Sequence, residues 1–129
     1  MRLLLDSHIL LAIQRRDSII CNPSIDRLVR STENEKIVSA ASLWEMAIKH
    51  HLGKLALDVP IEVLTEVFRS LKFNLLSVDH HHAVEVLEVL PPTRDPFDRM
   101  LLAQCQVEGM RLVTLDRSLA THPLAWREK

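Results

Sequence analysis

The sequence has few cysteines and no long apolar run. Its two cysteines, Cys21 and Cys105, lie far apart and do not match a metal-binding spacing, so we expect both to be reduced and buried, as in a cytoplasmic protein. No apolar run approaches the roughly 18 residues needed to span a bilayer. The apolar start at Leu3 is broken by Asp6, too early for a signal peptide. We therefore expect no membrane association.

The chain also lacks an excess of charge of either sign. Sixteen Lys and Arg residues against 17 Asp and Glu residues give a formal net charge of −1, so no overall field attracts nucleic acid. Any nucleic-acid binding must then come from local basic groups. Apolar residues make up 47% of the 129 positions, which is enough to bury a core. No repeat or linker interrupts the chain, and we expect one domain over residues 1–129.

Short apolar runs alternate along the chain with segments of helical periodicity. Strands are predicted at 3–5, 37–39, 73–78 and 111–114, and the tail with Leu124 and Trp126 can add a short edge strand. The predicted helices cover 9–14, 23–30, 40 to about 53, 60–71, 79–89, 95–108 and 117–120. This alternation predicts an α/β fold, a three-layer α/β/α domain with a central, mostly parallel sheet of four to five short strands.

The stretch from Arg94 to Gln104 contains an acid that helix formation alone does not explain. Asp95 before Pro96 is a helix-start signal, and this accounts fully for Asp95 as a cap. Asp98 follows in the first turn, where the helix dipole favours a negative charge. On a helix, however, Asp98 shares its face with the apolar Leu102 and Cys105. A carboxylate at the rim of a core needs a partner, a proton or a metal.

Three more acids are predicted near the same edge of the sheet. Asp6 and Asp116 directly follow strands, and Glu45, like Asp98, lies near the start of a helix. In parallel α/β sheets the carboxyl ends of the strands border the ligand crevice. Asp6 taken alone is explained by helix capping. Four acids at one edge are harder to explain in that way.

Periodicity by itself places Glu45 outside the core. The apolar positions of its helix predict a buried stripe that excludes it: Ala40, Leu43, Trp44, Ala47 and Ile48. Glu45 then forms an exposed pair with Lys49, four residues later. The run His80–His82 is not expected to bind a metal, because adjacent helical residues point about 100° apart.

Four ordered pieces of the chain resemble PIN-domain nucleases, most closely the VapC-like ribonuclease toxins of prokaryotic type II toxin–antitoxin pairs. The pieces are Leu-Leu-Leu-Asp-Ser-His at 3–8, Ser-Leu-Trp-Glu-Met-Ala-Ile-Lys at 42–49 with Leu-Gly-Lys-Leu at 52–55, Arg-Asp-Pro-Phe-Asp-Arg at 94–99 with Leu-Leu-Ala-Gln after it, and Leu-Val-Thr-Leu-Asp at 112–116. Together they span nearly the whole chain in the family's order. One piece would be weak evidence, whereas four in order are strong.

The resemblance implies a catalytic and metal-binding site made of four acids, Asp6, Glu45, Asp98 and Asp116. Carboxylates and water suit Mg²⁺ or Mn²⁺, which would activate a water for attack on an RNA phosphodiester. This reverses the interpretation of Glu45 drawn from periodicity. Asp95 is expected to support the four acids without binding the metal itself. One departure is Thr93, where relatives often carry histidine before Arg94.

The resemblance also implies substrate contacts and protein partners. Arg94, Arg99 and Lys49, together with Lys54, are candidates to hold substrate phosphates, although Arg99 also fits a solvated helix residue. Ser7 and Thr114 are candidates to orient ligands or waters. The implied partners are an RNA substrate, a second copy of the chain in a homodimer, and a cognate antitoxin that wraps the toxin and blocks its site.

Three other functions remain open at this point. The first is a PIN-like RNA-binding or interaction module that has lost activity, although all four acids are present. The second is a phosphohydrolase or phosphoacceptor with Asp6 as nucleophile, but such chemistry generally wants a second acid where this chain has Ser7 and His8. The third is a metal-free structural domain whose acids only cap helices.

Overall fold

One parallel sheet organises the computed structural model, which describes residues 1–15 and 22–128. Its strands are β1 (Arg2–Leu5), β2 (Glu35–Ser39), β3 (Asn74–Leu76) and β4 (Arg111–Val113), hydrogen-bonded in the order β3-β2-β1-β4 with every neighbouring pair parallel. The α-helices described are α1 (Ser7–Gln14), α2 (Pro23–Arg30), α3 (Ala40–His51), α4 (Leu64–Ser70), α5 (His80–Val84), α6 (Pro96–Glu108) and α7 (Arg117–Ala120). A 3₁₀ turn (Ile61–Val63) precedes α4.

Helices cover both faces of the sheet. Successive residues of β1 point to opposite sides, so Leu3 and Leu5 pack in the core formed with α1, α2 and α4, whereas Leu4 packs in the core formed with α6. All three leucines are fully buried. A strand buried on both sides is a continuous apolar run, and this is why Leu-Leu-Leu predicted it. The predicted three-layer α/β/α fold with a parallel sheet is confirmed.

The order of the strands reverses between β1 and β4. From β1 the chain builds outward through β2 to β3 on one side, and then crosses to place β4 on the other side. The main chain keeps the two strands joined just beyond their ends, because the Asp6 amide donates to the Val113 carbonyl at 3.1 Å. Such a reversal opens a crevice at the carboxyl ends of the strands. Asp6 and Thr114, the first residues after β1 and β4, lie at this crevice.

Helix α6 begins and ends where the sequence predicts. The Asp95 side chain accepts a hydrogen bond from the Phe97 amide at 2.8 Å, and Pro96 is the first helical residue. Gly109 ends the helix with φ 67°, in the left-handed region. The helix carries Cys105, whose burial raises the pKa of the thiol to about 12 and leaves it unreactive. The expectation for Cys105 is confirmed, whereas Cys21 lies outside the described residues.

Three predicted elements are shorter than expected, and one of them is β3, which covers Asn74–Leu76 rather than 73–78. Helix α5 ends at Val84 rather than near Val89, because the Gln106 side chain bonds the following segment in an extended form. Its amide donates to the Val86 carbonyl at 2.9 Å, and its oxygen accepts from the Glu88 amide at 3.0 Å. The tail forms an isolated bridge from Ala125 to Leu112 in place of an edge strand. Within the described ranges, the helices are too short or too polar to cross a membrane.

Candidate active site

Asp6 is a buried carboxylate at the end of β1. Only 4% of the residue is exposed, and one of its oxygens caps α1 by accepting hydrogen bonds from the His8 and Ile9 amides at 3.1 and 3.2 Å. The other oxygen accepts a hydrogen bond from the Thr114 hydroxyl. Burial raises the pKa of Asp6 despite these hydrogen bonds. Asp6 thus caps a helix and lies beside β4 at the same time.

Asp116 is the exposed acid of this edge. It caps α7 by accepting hydrogen bonds from the Ser118 hydroxyl at 2.7 Å and the Ser118 amide at 2.9 Å. These two bonds are the main reason that the pKa of Asp116 is lowered, and the nearby His8 lowers it further. The Asp116 amide also donates to the Thr114 hydroxyl at 3.0 Å. Thr114 therefore connects Asp6 to the loop that carries Asp116.

Asp98 is the point at which the other acids meet. Burial first, and then the negative charges of Asp95, Asp116, Glu45 and Asp6, raise its pKa to about 6. Each of these charges raises the pKa of Asp98 because each lies close enough to repel its ionised form. Helix α6 thus presents Asp98 to Glu45 of α3 and to Asp6 and Asp116, which cap α1 and α7. Its neighbours Leu102 and Cys105 are fully buried, as the predicted stripe requires.

Glu45 is buried, and the prediction of an exposed pair from periodicity is wrong. Only 7% of the residue is exposed, and its Oε2 accepts a hydrogen bond from the Lys49 Nζ at 2.9 Å. The predicted apolar stripe of α3 is wrong as well, because Trp44 is 63% exposed. The buried face of α3 consists of Ala41, Ser42, Glu45 and Met46. Periodicity failed here because two polar residues, Ser42 and Glu45, take core positions.

Trp44 packs outside the core. Its ring meets the Phe97 ring edge to face with centroids 5.8 Å apart. The two rings line an apolar groove of about 580 Å³ between α3 and α6, with Val78 and Met100 on its walls. Helix α3 thus carries its largest aromatic residue on the side that faces away from the core.

The two predicted arginines are exposed beside the start of α6. Within the described residues neither Arg94 nor Arg99 pairs with a carboxylate. Asp95 keeps its capping role. It also raises the pKa of Asp98, so it lies close to that acid. Thr93, the position where relatives often carry histidine, accepts a hydrogen bond from the Asp95 amide at 3.1 Å. The threonine thus helps to fix the turn before α6.

A cleft adjoins Glu45 on the side of α1. It has a volume of about 240 Å³, and three of the predicted residues, Ser7, Lys49 and Lys54, line it together with His8. The two lysines and the imidazole give this cleft the local basic character that the net charge of the chain does not supply. A phosphate group fits such surroundings.

Three polar residues of this edge were not predicted to have a role. His8 lowers the pKa of both Asp6 and Asp116, Ser118 holds Asp116, and Ser42 has a buried hydroxyl without a hydrogen-bond partner among the described residues. His8 follows Asp6 within a motif that the sequence analysis quoted, and Ser118 lies two residues after Asp116. Ser42 is the first residue of the quoted motif at 42–49, but its spacing alone does not distinguish it from an ordinary helical serine.

The donors at this edge fit a hard divalent cation. In the part of the chain that the structure describes, no three His, Cys, Asp or Glu side chains already stand in a metal-binding group. The chemistry of the acids nevertheless suits Mg²⁺ or Mn²⁺, which bind carboxylates and retain several waters. Burial is the main cause of the raised pKa of Asp98, and repulsion by the other acids adds to it; a divalent cation would relieve that repulsion.

The fold and this acidic edge define the class of protein. The family model of the PIN domain matches residues 3–123, and the chain belongs to that family. The family expected from the sequence is thus confirmed. No curated protein shows significant sequence similarity to the chain.

Solved structures that contain chains of similar fold include the following two. One chain, from the crystal structure of VapBC2 from Rickettsia felis bound to a DNA fragment from their promoter, matches with a TM-score of 0.63 and 15% identity, over 99% of this chain and 98% of that one. The other, from a toxin–antitoxin complex of Klebsiella pneumoniae, matches with a TM-score of 0.63 and 16% identity, over 96% and 95%. At such identities the likeness describes the fold.

Proposed function

We propose that this protein is a metal-dependent endoribonuclease and the toxin of a toxin–antitoxin pair. The observation that carries the proposal is the pKa of Asp98, which burial and then the charges of four further acids (Asp95, Asp116, Glu45 and Asp6) raise to about 6. A partly buried carboxylate that several other acids repel is typical of a functional site. Membership of the PIN family adds the nuclease chemistry.

Asp6, Glu45, Asp98 and Asp116 would hold Mg²⁺ or Mn²⁺. When bound, the cation supplies an activated water and stabilises the negative charge that develops on the phosphodiester oxygens. Thr114 and Ser118 keep Asp6 and Asp116 in fixed orientations through hydrogen bonds from their hydroxyls. Orientation of this kind reduces the reorganisation needed when the reaction begins.

The substrate in this proposal is RNA, bound by local charges. Lys49, Lys54 and His8 line the cleft beside Glu45 and would hold phosphates on that side of the acids. Arg94 and Arg99 are exposed near the start of α6 and would hold phosphates on the other side. Ser7, in the same cleft as Lys49, would orient a water or a substrate oxygen. Since the net charge is −1, contacts of this kind must supply the affinity.

The proposed partners are a cognate antitoxin and a second copy of the chain. The chains of similar fold come from a VapBC2 structure and from a toxin–antitoxin complex, which supports an antitoxin partner. We propose that this antitoxin blocks the acidic edge. We also propose that the protein works in the cytoplasm as a homodimer. Light scattering at micromolar concentrations tests the dimer, and a monomer mass throughout that range would contradict it.

Cleavage of a randomised RNA pool in Mg²⁺ or Mn²⁺ tests the proposal. The wild type should cut the RNA, a chelator should stop the reaction, and Asp98→Asn should slow it by about 100-fold or more. Asp79→Asn is the matched control, because Asp79 also caps a helix after a strand but does not act on Asp98. That variant should cut within about twofold of the wild type.

Two results would overturn the proposal. Undiminished cutting by Asp98→Asn, or by the wild type in chelator, would show that the acids and the cation are not required. Tight binding of RNA without turnover in either cation would instead favour a non-catalytic RNA-binding module.

A further inference from the structure

The Glu45–Lys49 ion pair differs from an ordinary pair on a helix surface. The Glu45 side chain is 9% exposed and its Lys49 partner 41% exposed, with 2.9 Å between Oε2 and Nζ. Among the described residues, a second i,i+4 pair lies between Asp26 and Arg30 on α2, and its side chains are 35% and 77% exposed. A surface pair of that kind contributes little, whereas a buried carboxylate depends on its partner.

The Lys49 ammonium is hydrogen-bonded to Oε2 of Glu45, one of the acids proposed to bind the cation. Glu45 raises the pKa of Asp98, so its carboxylate belongs to the group of mutually repelling acids. Lys49 already places one positive charge on Glu45 at hydrogen-bond distance. A second cation at that carboxylate would be repelled by the ammonium, unless the lysine moves away.

Lys49 lines a cleft into which its side chain can move. The cleft that it lines has a volume of about 240 Å³ and is also bordered by Ser7, His8 and Lys54. A lysine carries a point charge on a flexible stem of four carbons, so its ammonium can leave Glu45 and remain within the cleft. The arginine of a bidentate pair would be less free to move.

We propose that Lys49 is an internal counter-ion of the acidic site, which competes with the divalent cation for the Glu45 carboxylate and so sets the affinity for that cation. Lys49 is in this respect a positioning residue, which keeps Glu45 paired until the cation binds. The inference rests on the proposed function, because it requires a cation at these acids.

Calorimetric titration with Mn²⁺ alone tests this role without any RNA. Lys49→Met should bind Mn²⁺ about threefold to tenfold more tightly than Lys54→Met, as expected when a competing ion pair is removed. Lys54→Met is the matched control, because it removes the same charge from the same cleft but does not pair with Glu45. Lys49→Arg keeps the charge on a side chain that is less free to leave Glu45, and it should bind Mn²⁺ no more tightly than the wild type.

A second pair of variants separates competition from a general effect of charge. In the Glu45→Gln background, Lys49→Met and Lys54→Met should change the Mn²⁺ affinity equally. Equal affinities of the two lysine variants in the wild-type background, or weaker binding by Lys49→Met, would overturn the role of Lys49 and leave the proposed cation site intact. Failure of the wild type to bind Mn²⁺ would overturn both. Thermal unfolding of each variant checks that it is folded.

Discussion

Asp6 and Asp79 are both helix caps, and they lie after two different strands of the sheet. Each follows a strand and caps the next helix by accepting two backbone hydrogen bonds, Asp6 from His8 and Ile9, and Asp79 from His81 and His82. Yet burial raises the pKa of Asp6. For Asp79 desolvation also acts upward, but the hydrogen bonds from the His82 and His81 amides outweigh it, and the net pKa is lowered.

The difference between the two aspartates separates capping from clustering. Asp79 follows the edge strand β3, and its cap is closed by the His82 ring, which accepts from the Asp79 amide at 3.0 Å. Asp6 follows the central strand β1 at the crevice, where Thr114 bonds it and Asp98 lies close enough to be affected by its charge. A capping aspartate becomes a candidate ligand when other elements bring more acids to it.

Magnesium should stabilise the protein through Asp6 but not through Asp79. At a Mg²⁺ concentration 100-fold above its dissociation constant, the free energy of unfolding should rise by about 2.7 kcal/mol in the wild type. Asp6→Asn should lose most of this gain, and Asp79→Asn should keep it, since asparagine caps a helix as well as aspartate does. Urea unfolding with and without Mg²⁺ measures both. Equal gains in the two variants would contradict the comparison.

Removal of the Thr114 hydroxyl should destabilise the acidic edge. Thr114→Val deprives a buried carboxylate oxygen of its donor and should cost about 2 kcal/mol in the free energy of unfolding at neutral pH. The exposed Thr121 provides the control, and Thr121→Val should change stability by less than about 0.5 kcal/mol. Asp79 has no such bond to lose, because its donors are backbone amides. A neutral result for Thr114→Val would show that Asp6 does not depend on this donor.

The pH dependence of stability should have opposite signs in the two regions. Asp98 has a folded pKa of about 6, above its unfolded value of 3.8, so the folded state holds a proton that the unfolded state loses between these values. Stability therefore falls as the pH rises through that window. Asp98→Asn removes this fall, and relative to the wild type it should gain about 1 kcal/mol between pH 4 and pH 7, after allowance for solvent screening.

Asp79 supplies the contrasting sign. Its lowered folded pKa stabilises the protein above the unfolded value, and that stability is lost as the pH falls through the folded pKa. Compared with the wild type, Asp79→Asn should therefore lose more stability at neutral pH than at pH 3. Urea denaturation over this pH range follows both variants, and the same sign for both would remove the distinction between clustering and capping.

Much of the fold could be predicted because its signals are local. The run Leu3–Leu5 indicated a strand buried on two faces, and Asp95, Pro96 and Gly109 predicted the ends of α6. The end of α5 could not be predicted in this way. It depends on Gln106, a residue some twenty positions away, which hydrogen-bonds the Val86 carbonyl.

The acidic edge was predicted in part from position and in part from the family resemblance. The places of Asp6 and Asp116 after strands followed from the pattern of the sequence, and the structure brings both near Asp98. Glu45 defeated the periodicity argument, because α3 turns Ser42 and Glu45 inward and leaves Trp44 exposed. Polar residues at core positions are the usual exception near a site. The place of Glu45 near the start of a helix hinted at this one, and the resemblance pointed to it.

The central claim is that acids from separate elements bind a divalent cation at this edge, and the titration of Asp98 tests it most directly. Carbon-detected NMR of the labelled aspartate carboxyl groups should give Asp98 a pKa of about 6 without a divalent cation. Saturating Mg²⁺ should lower that pKa below about 4, because the cation favours the ionised form, and should leave Asp79 unchanged. An ordinary pKa for Asp98 without a cation, or a raised pKa that Mg²⁺ does not move, would contradict the account.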